Sequence, residues 1–204
     1  GGGSAGFNAA RVAVSLGMKT AVVDGARELG GLRILRGCMP TKTILRSAEI
    51  MALMKRAHEF GLAPVTARAD LSDIVDRKNR LVQEFADDRV AGLRDPRFSL
   101  YESRAEFLSS HEIRAGGVRI RGEAFVIATG SSAAQVDIPG LEKAGYLTSD
   151  EALDVRRLPA SILVLGGGLV AVEFAQFFAR IGTKVTMLQR GASLLSDMDD
   201  DIGQ

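Results

Sequence analysis

Cysteine and histidine are scarce in this chain: Cys38 is the only cysteine, and His58 and His111 are the only histidines among 204 residues. A single thiol excludes an intramolecular disulfide framework and suits a reducing compartment. Neither histidine stands in a recognisable motif. Excess charge is lacking too, since 26 Lys plus Arg against 25 Asp plus Glu leave +1, which gives no electrostatic footprint for nucleic acid. No signal peptide pattern of charged start, apolar run and small-residue cleavage site is present. The most apolar region, 161–181, is interrupted by Gly166-Gly167-Gly168 and Glu173 and reads as a strand followed by a helix, not a membrane span. These absences describe a soluble, cytoplasmic protein without membrane or nucleic-acid partners. Also missing are an initiator methionine and a strand ahead of Gly1, which together predict a fragment of a longer protein.

What is present is 46% hydrophobic, enough to bury one large core or two small ones. The chain opens on Gly1-Gly2-Gly3-Ser4-Ala5-Gly6, a dinucleotide fingerprint with glycines at positions 1, 3 and 6. Such glycines serve a tight turn, close approach of backbone to a pyrophosphate, and close packing of helix on strand. A helix is expected through Ala9, Ala10, Val12, Ala13 and Leu16 to Gly17, then a strand at 20–23 closed by Asp24. A carboxylate there, roughly 20 residues past the fingerprint, suits a ribose diol. A second fingerprint, Gly166-Gly167-Gly168 with Ala171 at its third key position, follows the strand 162–165 and opens the helix 170–181. The strand 184–188 then leads to Gln189-Arg190. Without a carboxylate at this second tip, and with Arg190 beside it, a 2′-phosphate is favoured over a free hydroxyl, so NADPH is expected, with NADH as the alternative. The acidic residues Asp197, Asp199, Asp200 and Asp201 read as a solvated loop, and no metal ligand set is assigned.

Between the fingerprints, Cys38 lies in Gly30-Gly31-Leu32-Arg33-Ile34-Leu35-Arg36-Gly37-Cys38-Met39-Pro40-Thr41-Lys42, just ahead of a helix expected to run to about Glu59. A helix N-terminus favours negative charge, hence a thiolate. A second helix is predicted over 71–93, its apolar stripe formed by Leu71, Ile74, Val75, Leu81, Val82, Phe85 and Val90. Short runs at 98–101, 105–108, 112–114 and 118–121 predict a small antiparallel layer turning at Gly116-Gly117, and 124–128 predicts a further strand before Thr129-Gly130.

The segment from Gly30 to Lys42, followed by Ala128-Thr129-Gly130 and Asp137-Ile138-Pro139-Gly140, resembles the class I flavin-dependent pyridine nucleotide-disulfide oxidoreductases. The resemblance implies an α/β fold of two Rossmann-like dinucleotide-binding units with a small antiparallel β layer, both units truncated. Residues 1–158 would form the FAD-binding domain and 159–204 the start of the NAD(P)-binding domain. It implies hydride transfer from NADPH to FAD. On the flavin side it points to Gly1, Gly3, Ser4, Gly6, Asp24, Gly31, Arg33, Gly37, Cys38, Lys42, Ala105, Thr129 and Gly130. On the nicotinamide side it points to Gly166, Gly168, Ala171, Glu173 and Arg190. Cys38, Lys42 and Glu173 are the catalytic candidates: the lysine would polarise the flavin ring as it gains electrons, and the glutamate would keep that lysine charged. The family has two cysteines here, but Arg33 occupies the first position, so an internal dithiol cycle is unavailable. The electron acceptor is therefore an unidentified small molecule, and the parent protein is expected to be a homodimer through a domain beyond this chain. Arg33 leaves open two alternatives, a nucleotide-binding protein with little turnover and a nonfunctional fragment.

Overall fold

A computed structural model describes the chain except for Asp197, Asp200 and Gln204. The residues form two compact units, one made of Gly1–Gly37 with Val82–Ala134 and the other of Cys38–Leu81 with Gln135–Gln204. Both are mixed α/β, in agreement with the expected class.

The first unit is built on helix α1 (Ser4–Ser15) and two parallel strands, β1 (Thr20–Val23) and β2 (Phe98–Tyr101). Thr20 pairs with Phe98 and Val23 with Tyr101, and the Asp24 N–H extends the ladder by donating to the Tyr101 carbonyl at 3.0 Å. Ala10 of α1, Val22 of β1, Leu29, Phe98 of β2 and Leu93 pack into one core. A short helix, α2 (Leu32–Leu35), follows β1. Three further strands, β3 (Ala105–Ser109), β4 (Glu112–Ala115) and β5 (Val118–Arg121), make an antiparallel meander turning at Gly116-Gly117.

The sequence grouped β2 with this meander, and the structure corrects that. Phe98 is buried against the α1 core, and a parallel partner needs a long crossover, which the residues between β1 and β2 supply. The strand expected at 124–128 does not form either. A strand exists only through a ladder, and among the described residues nothing pairs with this segment, whose Val126 and Ile127 are 71% and 72% exposed.

In the second unit, α3 (Cys38–Lys55) begins at Cys38 itself. It ends four residues earlier than expected, because 57–60 tighten into a 3-10 turn that buries Ala57. Strands β6 (Ser161–Leu165) and β7 (Lys184–Leu188) pair in parallel around helix α7 (Leu169–Ile181), a complete βαβ unit. The core joins Phe174, Phe177, Phe178 and Ile181 of α7 to Ile44 and Ala48 of α3. Leu153, just past the short helix α6 (Ser149–Ala152), completes it together with Leu71 and Val75 of α4 (Leu71–Leu93). Full burial of Phe177 and Phe178 removes two of the three phenylalanine side chains of α7 from water, about 1.5–3 kcal/mol each. The apolar stripe read along α4 is divided: Leu71 and Val75 belong to this core, Val90 packs on that of the first unit, where Leu93, outside the stripe as read, is fully buried, and Phe85 is exposed. Another helix, α5 (Leu141–Ala144), precedes α6. Among the described residues no helix is long and apolar enough to cross a membrane.

Candidate functional site

The first glycine turn is packed so closely that side chains are excluded at Gly1 and Gly6. A Cβ on Gly1 would stand 2.1 Å from the carbonyl oxygen of Ala128, and one on Gly6 would stand 1.8 Å from the carbonyl oxygen of Gly1. Gly31, at φ +80°, sits against Gly3, so that an added Cβ would lie 2.4 Å from the Gly3 Cα and the backbone would be strained as well. Gly1, Gly3, Gly6, Gly31 and the backbone leading into Thr129-Gly130 are thus brought together. Asp24 closes the cradle from beneath: buried to 9% exposure, it accepts the Gly2 N–H at 2.6 Å through Oδ2 and the Ala26 N–H at 2.9 Å through Oδ1. A carboxylate has about four acceptor positions, so two remain for a diol.

Gly3 caps the N-terminus of α1 without a side-chain hydrogen bond, at an ordinary φ of −66°. A Cβ there would meet only the Gly31 Cα at 3.5 Å, an ordinary contact. The Ser4 hydroxyl, in the first turn of α1, is buried without a hydrogen-bond partner. An uncapped helix end with an unsatisfied hydroxyl suits the phosphates of a dinucleotide.

Arg33 is exposed on α2, and Gly37 approaches it so closely that a Cβ would lie 3.0 Å from the Arg33 Cα. Ala105 is exposed at the start of β3, and nothing in the structure ties it to the cradle directly. Its neighbour Arg104 does pack against Gly25, with an added Cβ 2.6 Å from Arg104 Cγ. Sequence reasoning missed this approach, the Gly2–Asp24 bond and the Ala128 carbonyl. A fingerprint names the glycines but not the chain that presses on them.

The second glycine turn, in the other unit, joins β6 to α7. Gly166, at φ +109°, donates to the Leu188 carbonyl at 2.8 Å, which fixes the turn to the end of β7. Gly168 caps α7 at φ −79°, again with no side-chain cap, and nothing lies within 4 Å of where its Cβ would be. Ala171 is part-buried in the first turn of α7. Over the middle residue, Gly167, lie the Gln189 side chain and Leu194. Gln189 Nε2 donates to the Ser193 carbonyl at 3.3 Å, and the Leu195 N–H to the Gly167 carbonyl at 2.8 Å. Arg190 is exposed beside this closure. Of the acidic residues beyond, Asp199 and Asp201 are exposed, while Asp197 and Asp200 lie outside the described residues. No metal-holding cluster occurs among the described residues.

Within the same unit, the Lys42 ammonium of α3 pairs with Glu173 of α7, the side chains being 59% and 29% exposed. The pair follows from the packing of α3 on α7, which places the second turn of one helix beside the second turn of the other. Being solvated, it is worth about 0–1 kcal/mol, too little to explain the fold. Cys38 is exposed and free at the head of α3, where its carbonyl accepts the Thr41 hydroxyl at 3.2 Å.

A family model described as pyridine nucleotide-disulphide oxidoreductase matches residues 1–204. The chain is 35% identical to a mercuric reductase of Bacillus cereus over all of its own length and 32% of that protein's. It is 36% identical to a dihydrolipoyl dehydrogenase of Acholeplasma laidlawii over 99% of this chain and 61% of that protein. Among solved structures, the HOCl-induced flavoprotein disulfide reductase RclA from Escherichia coli is similar, with a TM-score of 0.83 at 31% identity, covering 99% of this chain and 43% of its own. The chain therefore spans between 32% and 61% of the length of these relatives.

Proposed function

The chain belongs to the pyridine nucleotide-disulphide oxidoreductase family, and from that premise we propose that it holds FAD at the first glycine turn and NADPH at the second. The flavin, when bound, supplies the electron sink for hydride arriving from the nicotinamide. In this reading residues 1–158 serve the flavin and 159–204 begin the nicotinamide site.

One observation carries the reading. Gly3 and Gly168 stand at the same place in the two fingerprints, and neither is required by the fold: both have ordinary φ, and neither is crowded by its own chain. Elsewhere at a helix N-cap, Ser, Thr, Asp or Asn would stabilise the helix by about 1 kcal/mol over a residue without a capping group. An approaching phosphate explains why both caps are bare, since it takes the open N–H groups itself and needs the backbone unshielded.

Lys42, paired with Glu173, is proposed to have the role that the family resemblance gives it, to favour the negative charge that the flavin acquires. The electron acceptor is proposed to be a small molecule. Arg33 supports flavin reduction without dithiol cycling, because a guanidinium offers no thiol to pair with Cys38. It equally favours a second reading, in which the chain binds nucleotides with little turnover.

Reconstitution with FAD followed by titration with NADPH tests both. The expected result is a yellow protein that consumes two electrons per flavin instead of four, unchanged by Cys38→Ser. Protein that stays colourless ends the reading. A bound flavin that NADPH does not reduce leaves the second one, and uptake of four electrons abolished by Cys38→Ser would show that another thiol replaces the missing one.

A further inference from the structure

The first unit places two arginines over one ring, with the charge of a third acting on them, and no carboxylate among the described residues is bonded to any of the three. Arg89, from the second half of α4, stacks on Phe7 with its guanidinium carbon 4.3 Å from the ring centroid, and Arg11 lies over the same ring at 5.7 Å. Arg89 Nη1 is buried and has no hydrogen-bond acceptor. Burial first, then the positive charges of Arg33 and Arg11, lower the affinity of the Arg89 guanidinium for its proton. Stacking on an aromatic face offsets part of the cost of crowding like charges but supplies no acceptor for the buried donor.

The cluster has a definite place. Ser4, Phe7 and Arg11 fall on one stripe of α1, spaced three and four residues apart. Ser4 Oγ and Arg89 Nη1 are both buried without partners, the one a turn before Phe7 on this stripe and the other on the guanidinium over its ring. With a rise of 1.5 Å per residue, Phe7 stands about 4.5 Å, and Arg11 about 10 Å, along the axis from Ser4. Arg11 and Arg89 accordingly line the flank of the helix, below the N-terminal N–H groups.

We propose that Arg89 and Arg11, over Phe7, form a binding site for a phosphate-type oxyanion on the flank of α1, with Arg33 adding its charge to theirs. Forked guanidinium donors suit the several oxygens of such a group, and its charge removes the repulsion among the three side chains. The site does not depend on the flavin assignment above; only the source of its oxyanion does. That source is either a free anion, inorganic or carried by a second molecule, or a phosphate of the dinucleotide itself.

Calorimetric titration of the 204-residue chain with inorganic phosphate, against chloride at matched ionic strength, tests the proposal. Wild type should bind phosphate, and Arg89→Gln and Arg11→Gln should each weaken binding by about tenfold. Arg11 is exposed, so its replacement leaves folding intact and keeps the test decisive if the Arg89 variant unfolds. Repeating the titration with saturating FAD separates the sources: competition assigns the oxyanion to the dinucleotide, and unaltered phosphate binding assigns it to another molecule. Phosphate binding by a chain that takes up no FAD would sink the flavin reading and leave this site standing. No phosphate heat beyond that of chloride, or equal binding by wild type and Arg11→Gln, would overturn the proposal.

Discussion

The two glycine turns solve one backbone problem by different means. In each, consecutive or nearly consecutive glycines lead into a helix that they leave uncapped, and in each a polar side chain from the tip of the strand after that helix reaches the middle glycine. At the first turn that side chain is Asp24, a buried carboxylate that takes the Gly2 N–H directly. At the second it is Gln189, a neutral amide that lies over Gly167 and turns its nitrogen away to Ser193, while Leu195 takes up the Gly167 carbonyl. The first turn is consequently closed by charge and by direct backbone contact at Gly1, Gly6 and Gly31. The second is closed by a loop, and its outer glycines keep open space around them. Equal motifs thus conceal unequal tolerance: the first turn should fail by steric collision, the second only by loss of what approaches it from outside.

The largest effect that separates the two is expected from paired alanine substitutions. Gly6→Ala sets a methyl 1.8 Å from the Gly1 carbonyl oxygen and should cost about 3 kcal/mol or more of stability in urea melts. Gly168→Ala meets nothing and should change stability by less than about 0.5 kcal/mol while weakening nucleotide binding. Equal losses of stability would break the distinction.

A smaller effect probes the polar closures. Asp24→Asn cannot accept from both the Gly2 and Ala26 N–H groups, so one buried donor loses its partner, a cost of about 1–3 kcal/mol. Gln189→Glu puts a carboxylate near a carbonyl at a half-buried tip and should cost under about 1 kcal/mol. Chemical denaturation of both variants measures the contrast, and a costlier change at Gln189 would reverse it.

The smallest effect bears on ligand choice at the second turn alone. Arg190→Glu should narrow the preference for NADPH over NADH by about tenfold, roughly 1.4 kcal/mol, with stability unchanged. Calorimetry with the two nucleotides checks it, and an unaltered ratio would make Arg190 a solvated bystander.

Local signals carried much of this architecture. Periodicity and glycine punctuation placed β1, α4, β5 and β7 on their observed spans, because each is decided by residues near in sequence. Pairing was not legible in the same way: Phe98 and Val126 both sit in apolar runs, yet one finds a parallel partner and the other none. For the site, the fingerprints announced their glycines, but Arg89 carried no signal, since a basic residue on an amphipathic helix reads as solvated until Phe7 is seen beneath it. The Leu195 bond to Gly167 was equally silent, for it depends on a left-handed residue, φ +52°, with an ordinary leucine side chain.

The packing of α3 on α7 has a consequence during synthesis. Lys42 and Glu173 are 131 residues apart, and the apolar positions Ile44 and Ala48 are as distant from the phenylalanines that cover them. At a translation rate of about 5–20 residues per second, α3 leaves the ribosome roughly 6 to 26 s before α7 can reach it. During that interval most of the other unit is made. The nascent chain therefore carries the uncovered face of α3 through the birth of a neighbouring fold, and a chaperone that shields this face, or a slow codon run ahead of α7 that prolongs its exposure, would change the yield of native protein without altering a single contact in it.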